Sequence, residues 1–234
     1  LLNVNNLEKL TVYEDLPEYL QEPYHFYKKK IQEIIQKQDK VLEIGSGRGD
    51  LTGILLSTGA NITATDISPL SLEILNKRYS TFSNLETSVQ DMENLDYENK
   101  FDVFCSAGSL SYGSLDKVLS KAKQALKPGG YIICVDSLND NPVYKIKRYI
   151  DFFRNRRSIS TILNMPTIKS LLKFNGDFQV QDLKFFGSLS WFCKLAEPFA
   201  DNTWLATLSR DFDERILVKG SAYKFVIIAK LKSK

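Results

Sequence analysis

The chain has 234 residues, with 31 lysines and arginines set against 28 aspartates and glutamates, one histidine, three cysteines and a net charge of +3. So balanced a charge gives no electrostatic reason to expect nucleic acid as a partner. Three cysteines make no even disulfide framework, and no apolar run approaches the ~20 residues that cross a bilayer. This composition agrees with an intracellular, cytoplasmic enzyme, and the length suits one domain with room for an elaborated lid.

From the N-terminal side, residues 14–38 read as helical and set Tyr24, His25, Phe26 and Tyr27 just ahead of three lysines. Val41, Leu42 and Ile44 form a short apolar run suited to a parallel strand covered on both faces. That strand breaks into Gly45-Ser46-Gly47-Arg48-Gly49, and a helix opens behind it. Glycines let backbone approach a ligand closely and take φ values closed to other residues. The helix start turns unpaired N–H groups and the positive end of its dipole toward whatever fills the turn. Such a turn suits an adenosine-containing cofactor, although a chance glycine turn in an α/β protein would read alike.

A second strand is expected over residues 61–66, with Asp66 at its carboxyl end. There an acid accepts hydrogen bonds from ribose hydroxyls; capping a helix is the plainer use of the same side chain. Ser68 and Pro69 cap and start the next helix. A short third strand over 85–89 leads into Gln90-Asp91-Met92. A fourth over 101–106 leads into Ala107-Gly108-Ser109. Leu126-Lys127-Pro128-Gly129-Gly130 ends a helix and turns sharply into a fifth strand reaching Asp136. Residues 178–183 and 222–230 supply the sixth and seventh. Cys105 and Cys134, on central strands, read as buried thiols.

The glycine segment is not the G-x-G-x-x-G of dinucleotide sites. Its form, Glu-x-Gly-x-Gly-x-Gly with Glu43 ahead of the glycines, resembles the first motif of class I S-adenosylmethionine-dependent methyltransferases. Asp66, Asp91-Met92 and the turn at 126–130 follow in the family's order. The resemblance implies S-adenosyl-L-methionine as cofactor. It also implies a Rossmann-like α/β fold: a seven-stranded mixed sheet of order 3-2-1-4-5-7-6, strand 7 antiparallel, helices on both faces and helical lid insertions. Asp91 would face the adenine amino group, Met92 would pack on the ring, and the loop Ser106-Ala107-Gly108-Ser109 would lie beside the methionine end. With Glu43, Gly45, Ser46, Gly47, Gly49, Asp66 and Ile67 these complete the expected cofactor site. Residues 1–38 become an N-terminal helical cap, 39–136 the cofactor-binding core, and 138–176 and 188–220 substrate-side insertions. The cap's aromatics would close the site or, equally, staple the helix to the sheet.

The acceptor is written less clearly. Asp136-Ser137-Leu138-Asn139 with Asn141-Pro142, then Arg148-Tyr149 and Met165-Pro166, resembles methyltransferases found with bacterial surface-polysaccharide synthesis. That implies a sugar hydroxyl on a small-molecule or lipid-linked saccharide. The core motifs also resemble the ubiquinone and menaquinone group, which implies a quinone, phenol or other lipophilic acceptor; a non-catalytic cofactor-binding protein is a third reading. A sugar hydroxyl needs a general base. His25, in the helix expected to cover the site, and Asp136, at the carboxyl end of strand five, are the candidates, with Tyr112 positioning the hydroxyl. No metal is expected, because the paired acids of metal-dependent sugar methyltransferases are not evident. Val143, Ile146, Tyr149, Ile150 and Phe153 recur on one helical face. Around them Lys145, Lys147, Arg148, Arg154, Arg156 and Arg157 outnumber the lone Asp151. Segment 145–157 therefore suits acceptor phosphates or peripheral contact with anionic lipid at the inner membrane face, or is simply a solvated basic face.

Overall fold

The run of Val41, Leu42 and Ile44 becomes β1 (Lys40–Ile44), and all three side chains are fully buried, as a strand covered on both faces requires. The computed structural model describes residues 12–215 and 219–232. Parallel to β1 lie β2 (Asn61–Asp66) on one side and β4 (Phe101–Ala107) on the other. Beyond β2 is β3 (Leu85–Val89); beyond β4 is β5 (Leu126–Ser137). β7 (Lys224–Leu231) runs antiparallel to β5 and to the edge strand β6 (Phe178–Phe186). The order β3-β2-β1-β4-β5-β7-β6 is the Rossmann-like methyltransferase arrangement expected. Cys105, Cys134 and Cys193 are all buried free thiols.

Helices cover the two faces, and two apolar clusters divide there. On one face α1 (Glu22–Ile34) buries Tyr27 and Ile31 against Val41, Cys105, Ile133 and Val226. The same cluster takes Ile54 and Leu55 of α2 (Thr52–Leu56) and Leu72 and Leu75 of α3 (Pro69–Arg78). On the other, α4 (Leu115–Ala125) packs Leu115, Val118, Leu119 and Ala122 against Leu42, Phe104 and Ile132. The insertion after β5 forms α5 (Pro142–Phe153), α6 (Ile159–Asn164) and α7 (Ile168–Leu171). The second insertion forms α8 (Ser190–Ala196) and α9 (Asn202–Arg215). Among the described residues no helix is long and apolar enough to cross a membrane.

Three local expectations are corrected. The helical segment 14–38 is broken: 3-10 turns at Val12–Asp15 and Glu18–Leu20 precede α1, which stops at Ile34. Pro17 and Pro23 lack the N–H groups that a continuous helix would use there. Residues 1–11 of the expected cap lie outside the described residues. The helix behind the glycine turn starts only at Thr52 and has five residues, so its dipole contributes little to the turn. Finally, 126–130 is not a turn between helix and strand. α4 ends at Ala125, β5 begins at Leu126, and Lys127–Gly130 bulges from the strand, since Phe101 pairs with Leu126 but Val103 with Tyr131.

Candidate active site

The carboxyl ends of β1, β2 and β4 meet in a cleft of about 350 Å³, where open α/β sheets place their ligands. Its floor is the glycine turn. Gly45, Gly47 and Gly49 all have positive φ, at 58°, 55° and 83°, so each sits where a side chain is strained. Their surroundings differ. A Cβ on Gly45 would lie 2.4 Å from the Cβ of Ser109, and one on Gly49 would lie 2.7 Å from the Tyr79 ring; one on Gly47 would meet only open space. Gly45 therefore lets the turn approach the loop after β4, Gly49 lets it approach α3, and Gly47 exposes backbone to the cleft.

Two acids, Asp66 and Asp91, line the cleft. Asp66 also braces the turn, accepting from the Gly47 N–H at 2.9 Å and from the Ser68 N–H at 2.9 Å. Each carboxylate oxygen keeps a lone pair for a ligand hydroxyl. Asp91 accepts from the Glu93 N–H (2.9 Å) and from the Asn94 amide (2.6 Å), which holds the loop with Met92 against the cleft. Ile67 lines the same wall and is 71% exposed. Glu43 is not on the surface of the cleft but buried beneath it, with Thr52 Oγ1 donating to its carboxylate at 2.7 Å. Burial raises its pKa to about 7, against the Thr52 hydrogen bond and with a further push from Asp66.

Ser106 is fully buried below the cleft, its hydroxyl 2.8 Å from that of Ser109, which donates to the Ile44 carbonyl at 3.1 Å. Of the loop expected beside the methionine end, Gly108 and Ser109 line the cleft and Ser106 and Ala107 do not; Ser46 and Gly49 are not lining residues either, and Gln90 is one that was not expected. The close approach of position 109 to Gly45 depends on two segments 64 residues apart, so sequence alone gave no sign of it.

The two general-base candidates and Tyr112 are separated. Tyr112 lines the cleft and is 71% exposed. Asp136 is buried behind the loop, accepting from the Leu110 N–H at 2.8 Å and the Ser137 N–H at 2.6 Å. Burial raises its pKa, while Lys224 and these hydrogen bonds work the other way. His25 is exposed and edges the Tyr13 ring at 5.6 Å. It lines a separate cavity of about 80 Å³ with Glu22, Arg210 and Asp213. A larger cavity, about 830 Å³, opens at the opposite end of the sheet between Glu98, Lys123, Pro128 and Asp177, far from these groups.

The cleft fits an adenosine cofactor with an amino-acid end. Asp66 and Asp91 line it, and in the adjoining turn the Ser46 hydroxyl, although not among the lining residues, is buried with no hydrogen-bond partner. A buried orphan hydroxyl is costly unless a ligand satisfies it.

Residues 41–130 match the family model of a methyltransferase domain. That segment is similar to a methyltransferase domain, and structural neighbours of the same fold with S-adenosyl-L-homocysteine or sinefungin bound indicate S-adenosyl-L-methionine as the cofactor. It is 26% identical over 121 residues to a demethylmenaquinone methyltransferase of Chlorobaculum tepidum, covering 51% of this chain and 50% of that one. It is 31% identical over 102 residues to a ubiquinone/menaquinone biosynthesis C-methyltransferase of Zymomonas mobilis, covering 42% of each. The chain thus spans about half the length, or less, of these curated relatives. Among solved structures, the geranyl diphosphate C-methyltransferase of Streptomyces coelicolor A3(2), bound to Mg2+, geranyl diphosphate and S-adenosyl-L-homocysteine, aligns with a TM-score of 0.64. That alignment covers 91% of this chain and 81% of the other at 15% identity, a likeness of fold.

Proposed function

We propose that the chain transfers a methyl group from S-adenosyl-L-methionine to a small lipophilic acceptor of the quinol or phenol kind. The observation that carries the reading is the composition of the cleft. Its titratable side chains are Asp66, Asp91 and Tyr112, and both aspartates already hold backbone N–H groups on the cofactor side. A sugar hydroxyl requires a base of suitable pKa within hydrogen-bond reach of its proton. His25 lies at another cavity, and Asp136 is buried behind the loop and is not among the cleft's lining residues. A phenol ionises near pH 10, as tyrosine does, so a small phenolate fraction is present at neutral pH with its proton given to water, and alignment of that phenolate carries the transfer. The quinone names of the relatives favour the same acceptor over the saccharide.

When bound, the cofactor supplies a methyl group on a sulfonium, already activated for in-line displacement. This chain's residues do the rest. Asp66, Asp91 and the Ser46 hydroxyl fix the donor's position. Gly47 leaves room for it, and Met92 and Ile67 shield it from water. Tyr112 orients the acceptor's oxygen at the cleft mouth, and the insertions 138–176 and 188–220 form the acceptor side.

The test is transfer of tritiated methyl from S-adenosyl-L-methionine to a panel of reduced naphthoquinones, phenols, nucleotide sugars and lipid-linked sugars. Label extracted with a quinol or phenol supports the reading. Label only in the sugars would restore the saccharide acceptor. A chain that binds cofactor and labels nothing in the panel would overturn this assignment.

A further inference from the structure

We propose that α5 docks the chain on an anionic membrane surface. The helix is turned the wrong way for an ordinary surface helix. Val143, Ile146, Ile150 and Phe153 share one side by their three- and four-residue spacing, and they are 44%, 63%, 44% and 79% exposed. The opposite side faces inward and is pinned there by polar contacts. Arg148, only 6% exposed, donates from one guanidinium nitrogen to the Leu138 carbonyl and the Asn139 side chain, both at 3.0 Å. Tyr144 holds Ser190 through a 2.8 Å hydroxyl contact. Rotating α5 to bury its apolar stripe would expose the stripe's replacement and strip these bonds from a buried guanidinium, so the outward setting is built in. α6, packed on α5, leaves Ile159 and Leu163 exposed as well.

Charge decides what covers this face. Lys145, Lys147, Arg154 and Arg156 are exposed around the stripe. The one acid of α5, Asp151, is already matched with Lys147 at 3.4 Å. An apolar stripe bordered by cations complements lipid tails bordered by anionic headgroups. A second copy of the chain fits worse, because a two-fold contact on this patch would set the cations of one copy against those of the other. The location fits as well. α6 packs on the 3-10 turn Leu110–Tyr112, and Tyr112 lines the cofactor cleft. The docked face therefore borders the side where a lipid-soluble acceptor would enter. The inference stands on the surface itself and survives if the acceptor proves to be of another class.

Vesicle flotation of the full chain tests it, with phosphatidylcholine alone and with added phosphatidylglycerol. The expected result is binding to the anionic vesicles that weakens with salt and drops by about tenfold or more in Arg154→Glu/Arg156→Glu. Ile146→Ser/Phe153→Ser should lose binding likewise. All four positions are exposed, so S-adenosylmethionine affinity should stay at the wild-type value and report an intact fold. No binding to anionic vesicles would overturn the proposal, as would binding indifferent to both variants. A dimer in sedimentation velocity that Ile146→Ser/Phe153→Ser abolishes would also overturn it, by giving the face to a second copy.

Discussion

Gly45 and Ser109 face each other so closely that a methyl group on the glycine would sit 2.4 Å from the serine Cβ. The contact joins the turn after β1 to the loop after β4, and the Ser109 hydroxyl completes it by donating to the Ile44 carbonyl. Gly45→Ala must therefore open the turn and also carry a positive φ. Calorimetry should show S-adenosylmethionine affinity down by at least about tenfold, the equivalent of about 1.4 kcal/mol. Adding Ser109→Gly removes the clash but not the strain, so the double variant should recover part of the loss. Full affinity in Gly45→Ala would mean that the turn is not the cofactor floor.

Glu43 makes stability depend on pH in a defined direction. Its folded pKa of about 7 lies above the ordinary 4.5, so the native state holds the proton more tightly than the unfolded chain. The associated stability is fully present below about pH 4.5 and lost as pH rises to about 7, an effect of about 3 kcal/mol. Above pH 7 it is flat. Urea unfolding from pH 4.5 to 8 should show the wild type losing this increment relative to Glu43→Gln, which cannot titrate. Parallel curves for the two proteins would refute it.

Asp136 acts on the loop rather than on the acceptor. In Asp136→Asn one of the two N–H groups, of Leu110 or Ser137, loses its acceptor, and the buried Lys224 and Arg148 lose their nearby negative charge. A loss of about 2 kcal/mol in chemical unfolding is expected. Because the loop carries Tyr112, kcat should fall while its pH profile keeps its shape. A shifted profile would instead make Asp136 the general base.

His25→Ala should leave methyl transfer within about twofold of wild type, as an exposed substitution away from the cleft does. Abolished transfer with intact cofactor binding would bring His25 back into the reaction.

The sheet order and several of the cleft's lining residues were legible because each signal is local. A glycine with positive φ, an acid at a strand's carboxyl end and a capping Ser-Pro are each written within a few residues. The missing pieces are tertiary. The contact of Ser109 with Gly45 exists only because β1 and β4 are neighbours. The spacing of Val143, Ile146, Ile150 and Phe153 names a face without saying which way it points. That direction is set by Arg148, whose acceptors at Leu138 and Asn139 are supplied by the chain's path out of β5. His25 shows the same limit: its helix does cover the sheet, yet its ring points to another cavity.

We propose that Asp66, Asp91 and Ser46 together hold S-adenosylmethionine at the glycine-turn cleft. The most direct measurement is calorimetric titration of the chain with the cofactor, beside Asp66→Ala. Saturable binding at one site per chain, weakened by at least about tenfold in Asp66→Ala, is expected. No binding by the folded wild type, or equal binding by the variant, would contradict it.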